Sequence, residues 1–220
     1  MKILAVEFSS EQRSVAIVER AGDSFRICGR AEENGARNAH AFVLIEQALQ
    51  QAKMGREEIG CIAVGLGPGS YTGIRAAIAL AQGWELGREI KVLGISSVQC
   101  LAEGAFAKGR RGWVNIIVDA LRNEFYLAGF ELTEKGVREM EPLHIMTSGE
   151  VKRRIAEKQV VTGPDVKRFF LGDENLFPDA ATLGNLALEK TDFVPGEQLE
   201  PIYLRETSFV KAPPSRVIGD

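Results

Sequence analysis

The spacing of apolar residues predicts an antiparallel start to the chain. Three short apolar-rich runs, at residues 2–8, 14–20 and 24–30, are separated by turn residues. Consecutive strands with such short connections usually pair with each other as hairpins. We therefore expect the chain to open with three antiparallel strands.

Helical and strand-like periods alternate after this start. Apolar residues recur at helical spacing over residues 38–53, 72–87 and about 96–108. Shorter apolar runs, typical of buried strands, lie between them at residues 61–65 and 91–94. This alternation indicates a mixed α/β unit with helices packed on a sheet.

The second half of the chain repeats the same theme. The elements predicted there are a strand at 113–119, its hairpin partner at 124–131, a charged helix at 150–158, a strand at 159–162 and a short helix at 182–190. The repetition predicts two mixed α/β lobes, at residues 1–107 and 108–220. The basic segment 108–112 is the best candidate linker, and the tail near 201–220 is expected to pack back on the first lobe.

Composition adds limits on the class of protein. The chain has 220 residues, of which 45% are hydrophobic and 26% charged, which is ordinary for a globular protein. The net charge of -3 argues against a broadly basic surface for nucleic acid, although a local basic patch remains compatible with it. Cys28, Cys61 and Cys100 lie far apart, which favours reduced thiols over disulfides or zinc. We see no secretory signal and no membrane-spanning run, so we expect a cytoplasmic protein that binds no membrane.

The glycine-rich segment at residues 65–75 is the most informative part of the sequence. It lies between a predicted strand and a predicted helix, where backbone amides can bind an anion. It lacks the lysine of the G-x-x-x-x-G-K-[ST] loop and the spacing of a dinucleotide-binding loop. The other interpretation is a tight turn in which Ser70 or Thr72 caps the helix. The residues alone favour the tight turn slightly over the anion site.

Several motifs resemble one known family. The segment G-P-G-S-Y-T-G-I-R at residues 67–75, followed by an alanine-rich helix, resembles the signature of the TsaB family. The opening at residues 1–10, the strand at 14–18 and P-I-Y-L-R at residues 201–205 also resemble elements of that family. The match runs from the first residue to near the last and is densest in residues 1–100.

The resemblance implies a fold and a set of loop residues. The TsaB family has the α/β, two-lobed fold shared by actin, sugar kinases and the heat-shock ATPase domain (ASKHA), with two mixed-sheet lobes flanked by helices. In that fold, phosphate loops from both lobes face a cleft. The residues expected at phosphate-loop-like positions here are Glu7, Ser9, Ser10, Gly67, Gly69, Ser70, Thr72, Gly73 and Asp119.

Two departures from related sequences weaken phosphate chemistry at these loops. Active relatives normally carry Asp in the first loop, whereas this chain has Glu7, which is one methylene longer. The second loop of TsaB proteins usually has the sequence D-A-R, whereas here Leu121 displaces Arg122 by one position. Strand-end carboxylates such as Glu7 and Asp119 could hold magnesium or act as a base, but they also commonly cap turns.

The sequence gives no support for a metal site, a cofactor or catalytic residues. TsaD, the catalytic relative of TsaB, carries an H-x-x-x-H pair, and two histidines four apart on a helix can share one metal. Here His40 is followed four residues later by Leu44, and His144 lies far away. No G-x-S-x-G nucleophile elbow is present either. We therefore predict no metal, no cofactor and no catalytic residue.

The predicted helix at 72–87 is apolar almost all round, so it must be covered on every side. It is either a core helix within one chain or part of a helix pair that packs against another subunit. The resemblance implies the second, because TsaB pairs with TsaD through these helices. The residues expected at the interface are Ala41, Leu44, Ile45, Ile74, Ala77, Ile78 and Ala81. A homodimer through the same surface is expected when the partner is absent.

The function implied by the resemblance is a non-catalytic scaffold for N6-threonylcarbamoyladenosine synthesis at position 37 of tRNA. The expected partners are a TsaD-like catalytic subunit and a TsaE-like ATPase, with tRNA contacted only through the complex. The alternative is a free-standing small-molecule kinase or ATPase of the same fold, which would need a first-loop Asp and a late G-G motif. Residues 163–165 are a poor version of that motif. A self-sufficient TsaD-like transferase is opposed by the missing second histidine.

Overall fold

The structure contains two mixed β-sheets with helices packed on both faces of each. It is a computed structural model that describes residues 1–22, 24–35, 40–164, 166–170 and 175–204. Predictions made for Asn38, Asp165, Arg205 and the rest of the tail lie outside these residues. Within them, no helix is long and apolar enough to cross a membrane.

The first sheet has five strands. They are β1 (Lys2–Glu7), β2 (Gln12–Ala21), β3 (Ser24–Asn34), β4 (Cys61–Gly65) and β5 (Lys91–Ile95), in the order β3-β2-β1-β4-β5. Strands β1 to β3 are antiparallel, whereas β4 and β5 run parallel to β1. The predicted antiparallel start is thereby confirmed.

The second sheet repeats this pattern with one strand fewer. Its strands are β6 (Gly112–Asp119), β7 (Glu124–Thr133), β8 (Gly136–Thr147) and β9 (Val160–Thr162), in the order β8-β7-β6-β9. Three antiparallel strands are again followed by one parallel to the first. Two mixed sheets of this kind, flanked by helices, confirm the predicted two-lobed ASKHA fold.

The helices follow the predicted order, with additions. They are α1 (Ala41–Ala52), α2 (Tyr71–Gly87), α3 (Ser97–Ala107), α4 (Ser148–Ala156), α5 (Val166–Phe169) and α6 (Ala180–Leu188), with short 3-10 turns at Arg56–Glu58 and Gly196–Gln198. The sequence did not predict α5 or β8. Four residues are too few to show a helical period. β8 is an edge strand that contains Pro142 and several charged residues, and such strands lack the apolar alternation of central ones.

The two faces of the first sheet are covered by helices from different parts of the chain. Leu4, Val6 and Phe8 of β1 and its continuation pack with α1 and α2 in one core cluster. Ile3 and Ala5, which point to the other face because side chains alternate along a strand, pack with α6. A helix from the far end of the chain, Ala180–Leu188, therefore completes the core of the first sheet.

Polar contacts hold both ends of α6 on this sheet. Asp179 caps the helix by accepting hydrogen bonds from the amides of Ala181 and Thr182, and its other oxygen lies 2.6 Å from Arg30 Nη2. At the opposite end, Arg20 Nη2 donates to the carbonyl of Leu188 at 2.8 Å. These contacts join the second half of the chain to β2 and β3.

The chain after α6 also lies against the first sheet and α2. The amide of Val194 donates to the carbonyl of Val92 on β5, and the amide of Ile202 donates to the carbonyl of Leu66 beyond β4. Between them, Gly196 is held by Gln82 and Glu85 of α2. The division of the chain at 107/108 stays a prediction, and residues 180–204 belong spatially to the first sheet.

This arrangement predicts that residues 1–107 do not fold alone. Without α6, the face of the first sheet that contains Ile3, Ala5 and Ala63 is exposed to water. The fragment therefore lacks a large part of the hydrophobic stabilisation of the full chain. We expect the fragment 1–107 to show no cooperative urea transition by circular dichroism, with the full chain as control. A sharp two-state transition of the isolated fragment would contradict this prediction.

Candidate functional site

The loop after β1 packs directly on the glycine loop that follows β4. The amide of Ser70 donates to the carbonyl of Ser9 at 2.7 Å. A Cβ placed on Gly69 would lie 2.0 Å from the oxygen of Ser9, and one on Gly73 would lie 2.0 Å from the oxygen of Phe8. Gly69 also has φ of +150°, which side-chain-bearing residues rarely adopt. These glycines therefore allow two backbone segments to touch.

The glycine loop is fixed at both ends by hydrogen bonds. Ser70 caps α2, because its hydroxyl accepts a hydrogen bond from the amide of Gly73 at 3.3 Å, which confirms the predicted cap. At the other end, the amide of Ser97 donates to the carbonyl of Gly67 at 2.8 Å, and the amide of Gly67 donates to Ser97 Oγ at 3.2 Å. The start of α3 is thereby tied to the loop.

Glu7 lies underneath this contact and is fully buried. Its Oε1 accepts a hydrogen bond from the amide of Ser9 at 2.8 Å, and its Oε2 accepts one from Ser97 Oγ at 2.9 Å. Burial raises the pKa of Glu7, while the Ser9 and Ser97 hydrogen bonds act in the opposite direction. Gly65 leaves the space for the carboxylate, since a Cβ there would lie 2.1 Å from Oε2.

The structure brings eight of the nine predicted phosphate-loop positions together, in this one contact. Ser9 and Ser10 are buried, and Thr72 is exposed at the start of α2. Asp119 instead ends β6 of the other sheet, where its Oδ1 accepts a hydrogen bond from the amide of Leu121 at 2.7 Å. Among the described residues, no hydrogen bond or ion pair joins Asp119 to the other eight. Their role as phosphate loops stays a prediction.

The loop after Asp119 has an unusual backbone. Leu121, Arg122 and Asn123 have φ of 62°, 57° and 61°, so three consecutive non-glycine residues are left-handed. Only Asn adopts this conformation at low cost, and the others store strain on the order of 1 kcal/mol or more each. The carbonyl of Asn123 accepts a hydrogen bond from the amide of Ser148 at 2.9 Å, which joins the loop to the start of α4.

An exposed aromatic cluster lies beside the glycine loop and was not predicted from the sequence. The rings of Tyr71 and Tyr203 stack with centroids 5.7 Å apart, and the Arg75 guanidinium lies 3.8 Å from the centroid of Tyr71. Tyr71 and Arg75 come from the glycine-loop motif, whereas Tyr203 comes from the C-terminal P-I-Y-L motif. Two motifs on which the resemblance rests are therefore neighbours in space. No local pattern in the sequence predicts this contact; the only hint was that both motifs belong to the same family.

Most of the predicted interface residues face the first sheet instead of solvent. All seven are at most 8% exposed and pack against the first sheet; they are Ala41, Leu44, Ile45, Ile74, Ala77, Ile78 and Ala81. The sheet covers one apolar stripe of each helix, and on α2 this is the stripe that carries Ile74 and Ile78. Leu44, Ile74, Ala77, Ile78 and Ala81 are core, which corrects their assignment to the outer face. Ala41 and Ile45 are buried but also line a groove on the solvent side of the same helices, so their place at an interface stays a prediction.

The solvent-facing side of the same helices carries a different apolar surface. A groove of about 710 Å³ lies between α1 and α2, and Ala76, Ala79, Gly83 and Gly87 of α2 line one side of it. Phe42 of α1 stands at the opposite side and is 70% exposed. We call this surface the α1–α2 groove. Its α2 side combines these small residues with the larger Leu80 and Trp84. The small residues permit close approach of another helix.

The histidines and cysteines are engaged in ordinary contacts. His40 Nδ1 lies 3.0 Å from Glu33 Oε2. Cys61 and Cys100 are buried thiols, and burial raises the pKa of Cys61 to about 12. In the described part of the chain, no three His, Cys, Asp or Glu side chains are grouped so that they could hold a metal ion. The absence of a bound metal stays a prediction.

The fold and its loops define a two-lobed protein of the actin-like class whose first loop is packed on its glycine loop.

A family model described as TsaD, tRNA N6-adenosine threonylcarbamoyltransferase, matches residues 36–160. Several curated relatives carry the name tRNA threonylcarbamoyladenosine biosynthesis protein TsaB. The Escherichia coli protein is 28% identical over 98% of this chain and 100% of its own length. The Haemophilus influenzae protein is 30% identical over 58% of this chain and 53% of its own length.

Solved structures agree with these relatives. A Pseudomonas aeruginosa protein described as similar to peptidase YEAZ is 25% identical, with a TM-score of 0.77 over 93% of this chain and 99% of that one. The structure of YeaZ from Pseudomonas aeruginosa, at 24% identity and a TM-score of 0.75, covers 92% of this chain and 99% of that one and shows the same fold. The chain belongs to the matched TsaD-like family, on its TsaB (YeaZ) branch.

The burial of Glu7 predicts a pH-dependent stability difference between the native chain and Glu7→Gln. A folded-state pKa above the unfolded value means that the stability Glu7 contributes is present below the unfolded pKa, near 4.5, and is lost as pH rises through the folded pKa. Glutamine resembles the protonated acid and does not titrate. In urea unfolding, Glu7→Gln should gain stability relative to the native chain as the pH rises from about 5 to about 8. No gain by Glu7→Gln, or a loss of stability relative to the native chain, as the pH rises over this range would be evidence against it.

The same substitution, glycine to alanine, at two positions of the chain tests the contact at the glycine loop. Gly69→Ala places a methyl group 2.0 Å from Ser9 O at a positive φ, so the free energy of unfolding should fall by about 2 kcal/mol or more. Gly83→Ala, in the middle of α2 with nothing within 4 Å of its Cβ, should raise it by about 0.5–1 kcal/mol. Thermal and urea unfolding measure both, and equal effects of the two variants would refute the packing argument.

Proposed function

We propose that this chain is a non-catalytic scaffold and activating subunit in the synthesis of N6-threonylcarbamoyladenosine at position 37 of tRNA. In this role it binds a TsaD-like catalytic subunit and supports its activity, and a TsaE-like ATPase joins the pair. Membership of the TsaB branch supports the process. The α1–α2 groove is the single observation that carries the scaffold role.

The groove has the properties of a protein interface. Phe42 is 70% exposed, and Leu80 and Trp84 also line the groove, so large apolar side chains border a line of small residues. Contiguous exposed apolar surface of this kind on a single chain usually marks a binding site. The small residues Ala76, Ala79 and Gly83 would let a partner helix pack close to α2. A helical surface of the catalytic subunit is therefore the occupant we propose.

Arginines at one end of the groove add a charge preference. Arg56 and Arg88 line the groove, and Arg88 donates hydrogen bonds to carbonyls of residues 56 and 57. Arg56 is already paired with Glu46 on α1. A partner with an acidic residue at this end would meet fixed positive charge, which favours correct orientation more than affinity.

The packed loops support a role without catalysis. In the first loop, the Ser9 amide donates to Glu7 and the Ser9 carbonyl accepts from Ser70, while Ser10 Oγ donates to the carbonyl of Gln12. A phosphate cradle needs such amides and hydroxyls free to face a ligand. Here they hold the protein together, which favours a scaffold over a kinase or ATPase.

The remaining parts of the proposal follow from the same surface. A second copy of this chain would occupy the groove when the catalytic subunit is absent, so homodimer and heterodimer would compete. Contact with tRNA during the modification reaction would run through the catalytic subunit, and the complex would work in the cytoplasm. ATP turnover by the purified chain alone would favour the kinase or ATPase alternative instead.

Exposed apolar residues provide a direct test of the groove. Ala79→Glu and Phe42→Glu place a charge on the groove without touching the core, whereas Met140→Glu makes the same change on β8, where Met140 is 45% exposed. Because burial of an unpaired charge is costly, the first two should weaken binding of the TsaD protein from the same organism by at least about 100-fold. Met140→Glu should change it less than about 2-fold.

Analytical ultracentrifugation and isothermal titration measure the complex and the homodimer, and circular dichroism checks that each variant is folded. Both groove variants should lose self-association as well. Folded groove variants that bind the catalytic subunit as tightly as the native chain would rule out the groove as the interface.

A further inference from the structure

A second pocket lies on the other sheet, at the end of β6 opposite the loop that follows Asp119. Its volume is about 630 Å³, and it is lined by Trp113 at the start of β6 and by residues 153–160, where α4 ends and the chain enters β9. Trp113 is 40% exposed, although tryptophan usually buries most of its surface. Part of the indole is therefore open to a ligand in this pocket.

A buried hydrogen-bond network fixes the indole in position. Trp113 Nε1 donates to Asn115 Oδ1 at 3.2 Å, and the fully buried Asn115 donates from Nδ2 to the carbonyl of Val160 at 2.9 Å. Gly129 on β7 leaves room for the ring, because a Cβ there would lie 2.7 Å from Trp113 Cζ2. With its N–H satisfied and the ring packed beside Gly129, the exposed part of the indole is held in a fixed position where a planar ligand could stack on it.

One arginine of the pocket is used within this network. Arg154 Nη1 donates to Asn115 Oδ1 at 2.7 Å, and its guanidinium donates to both oxygens of Glu141 at 2.6 and 2.7 Å. The Arg154 guanidinium lowers the pKa of Glu141, so the pair stays ionised and its charges cancel. Arg154 therefore supports the wall of the pocket and is not available to a ligand.

Two other cations, Arg153 and Lys158, line the pocket, and Arg153 is near enough to Glu150 on α4 to help lower the pKa of that carboxyl. Neither Arg153 nor Lys158 has a hydrogen bond or ion pair from its side chain to any residue that the structure describes. The one acidic residue in the lining, Glu157, accepts a hydrogen bond from Gln159 at 3.2 Å. The carbonyls of Arg153, Arg154 and Ile155 at the end of α4 are satisfied by the amides of the next turn. The pocket thus combines an exposed indole with excess positive charge.

We propose that this pocket binds a nucleotide, with the base stacked on Trp113 and a phosphate held by Arg153 and Lys158. Stacking on an aromatic ring together with cationic contacts to phosphate is how proteins bind single-stranded nucleic acid without sequence preference. The net charge of -3 is compatible with this, because the site needs only a local excess of positive charge. The site lies outside the α1–α2 groove and is independent of the proposed scaffold role.

The chain offers a site-specific fluorescence readout. It has only two tryptophans, so Trp84→Phe leaves Trp113 as the single indole fluorophore. We would titrate this variant with AMP and with a single-stranded RNA of about ten nucleotides. Both should quench Trp113, and quenching by RNA should weaken as NaCl is raised from about 50 to about 200 mM. If AMP and the RNA bind with equal affinity per site, a single nucleotide fills the pocket. If the RNA binds much more tightly than AMP, single-stranded RNA is the ligand.

Charge variants decide whether the cations of the pocket are responsible. Arg153→Glu and Lys158→Glu, added to Trp84→Phe, should each lower the affinity by about 10-fold or more, and Arg153→Gln by less. Lys167→Glu is the matched control, since Lys167 is exposed on α5, beyond the other end of β9, and should change the affinity less than about 2-fold. Absence of quenching by both ligands, or quenching that is unchanged in folded Arg153→Glu and Lys158→Glu, would overturn the proposal. Neither result would affect binding at the groove.

Discussion

The close contact between the loop after β1 and the glycine loop determines the rest of the first lobe. Carbonyls of Phe8 and Ser9 lie where side chains on Gly73 and Gly69 would have to be. This contact sets where α2 begins, so it also sets which stripe of α2 faces the sheet. Ile74 and Ala77 enter the core, and the opposite stripe, in which small residues lie beside Leu80 and Trp84, is left at the α1–α2 groove.

The same contact uses the polar groups that a phosphate-binding cleft would need. The Glu7 carboxylate is enclosed and hydrogen-bonded to the Ser9 amide and the Ser97 hydroxyl. The acid is held without a cationic partner, and its desolvation is offset only by these neutral donors. The polar groups of the loops are used within the protein, and an apolar groove is open on the other side of α2. Both features fit a protein that works by binding another subunit.

Local patterns in the sequence were sufficient for most elements and for the fold class. Period-2 and helical spacings located the strands of the meander and the long helices, because burial of one face imposes those spacings. They could not locate β8, whose edge position permits Pro142 and charged residues. They also could not identify the inner face of α2, since Ala76 and Ala79 on one side and Ala77 and Ala81 on the other are the same residue type. The structure resolves this because the sheet accepts only the stripe that also carries Ile74 and Ile78.

Long-range contacts could not be predicted from the sequence for a different reason. Tyr203 stacks on Tyr71 across more than 130 residues, and α6 returns to the first sheet from the second half of the chain. Neither contact leaves a periodic signal, because each depends on where a distant segment is carried by the fold. The polar network around Trp113 is similar, since Asn115, Glu141 and Arg154 come from three different elements.

Formation of threonylcarbamoyladenosine on tRNA is the most direct test of the scaffold account. The reaction would be measured by mass spectrometry of tRNA nucleosides with this chain alone, with the TsaD protein of the same organism alone, and with both plus the TsaE-like ATPase. The account predicts no product from this chain alone, little from the catalytic subunit alone, and a large increase when they are combined. Product formed by this chain alone, or no increase on combining the proteins, would contradict it.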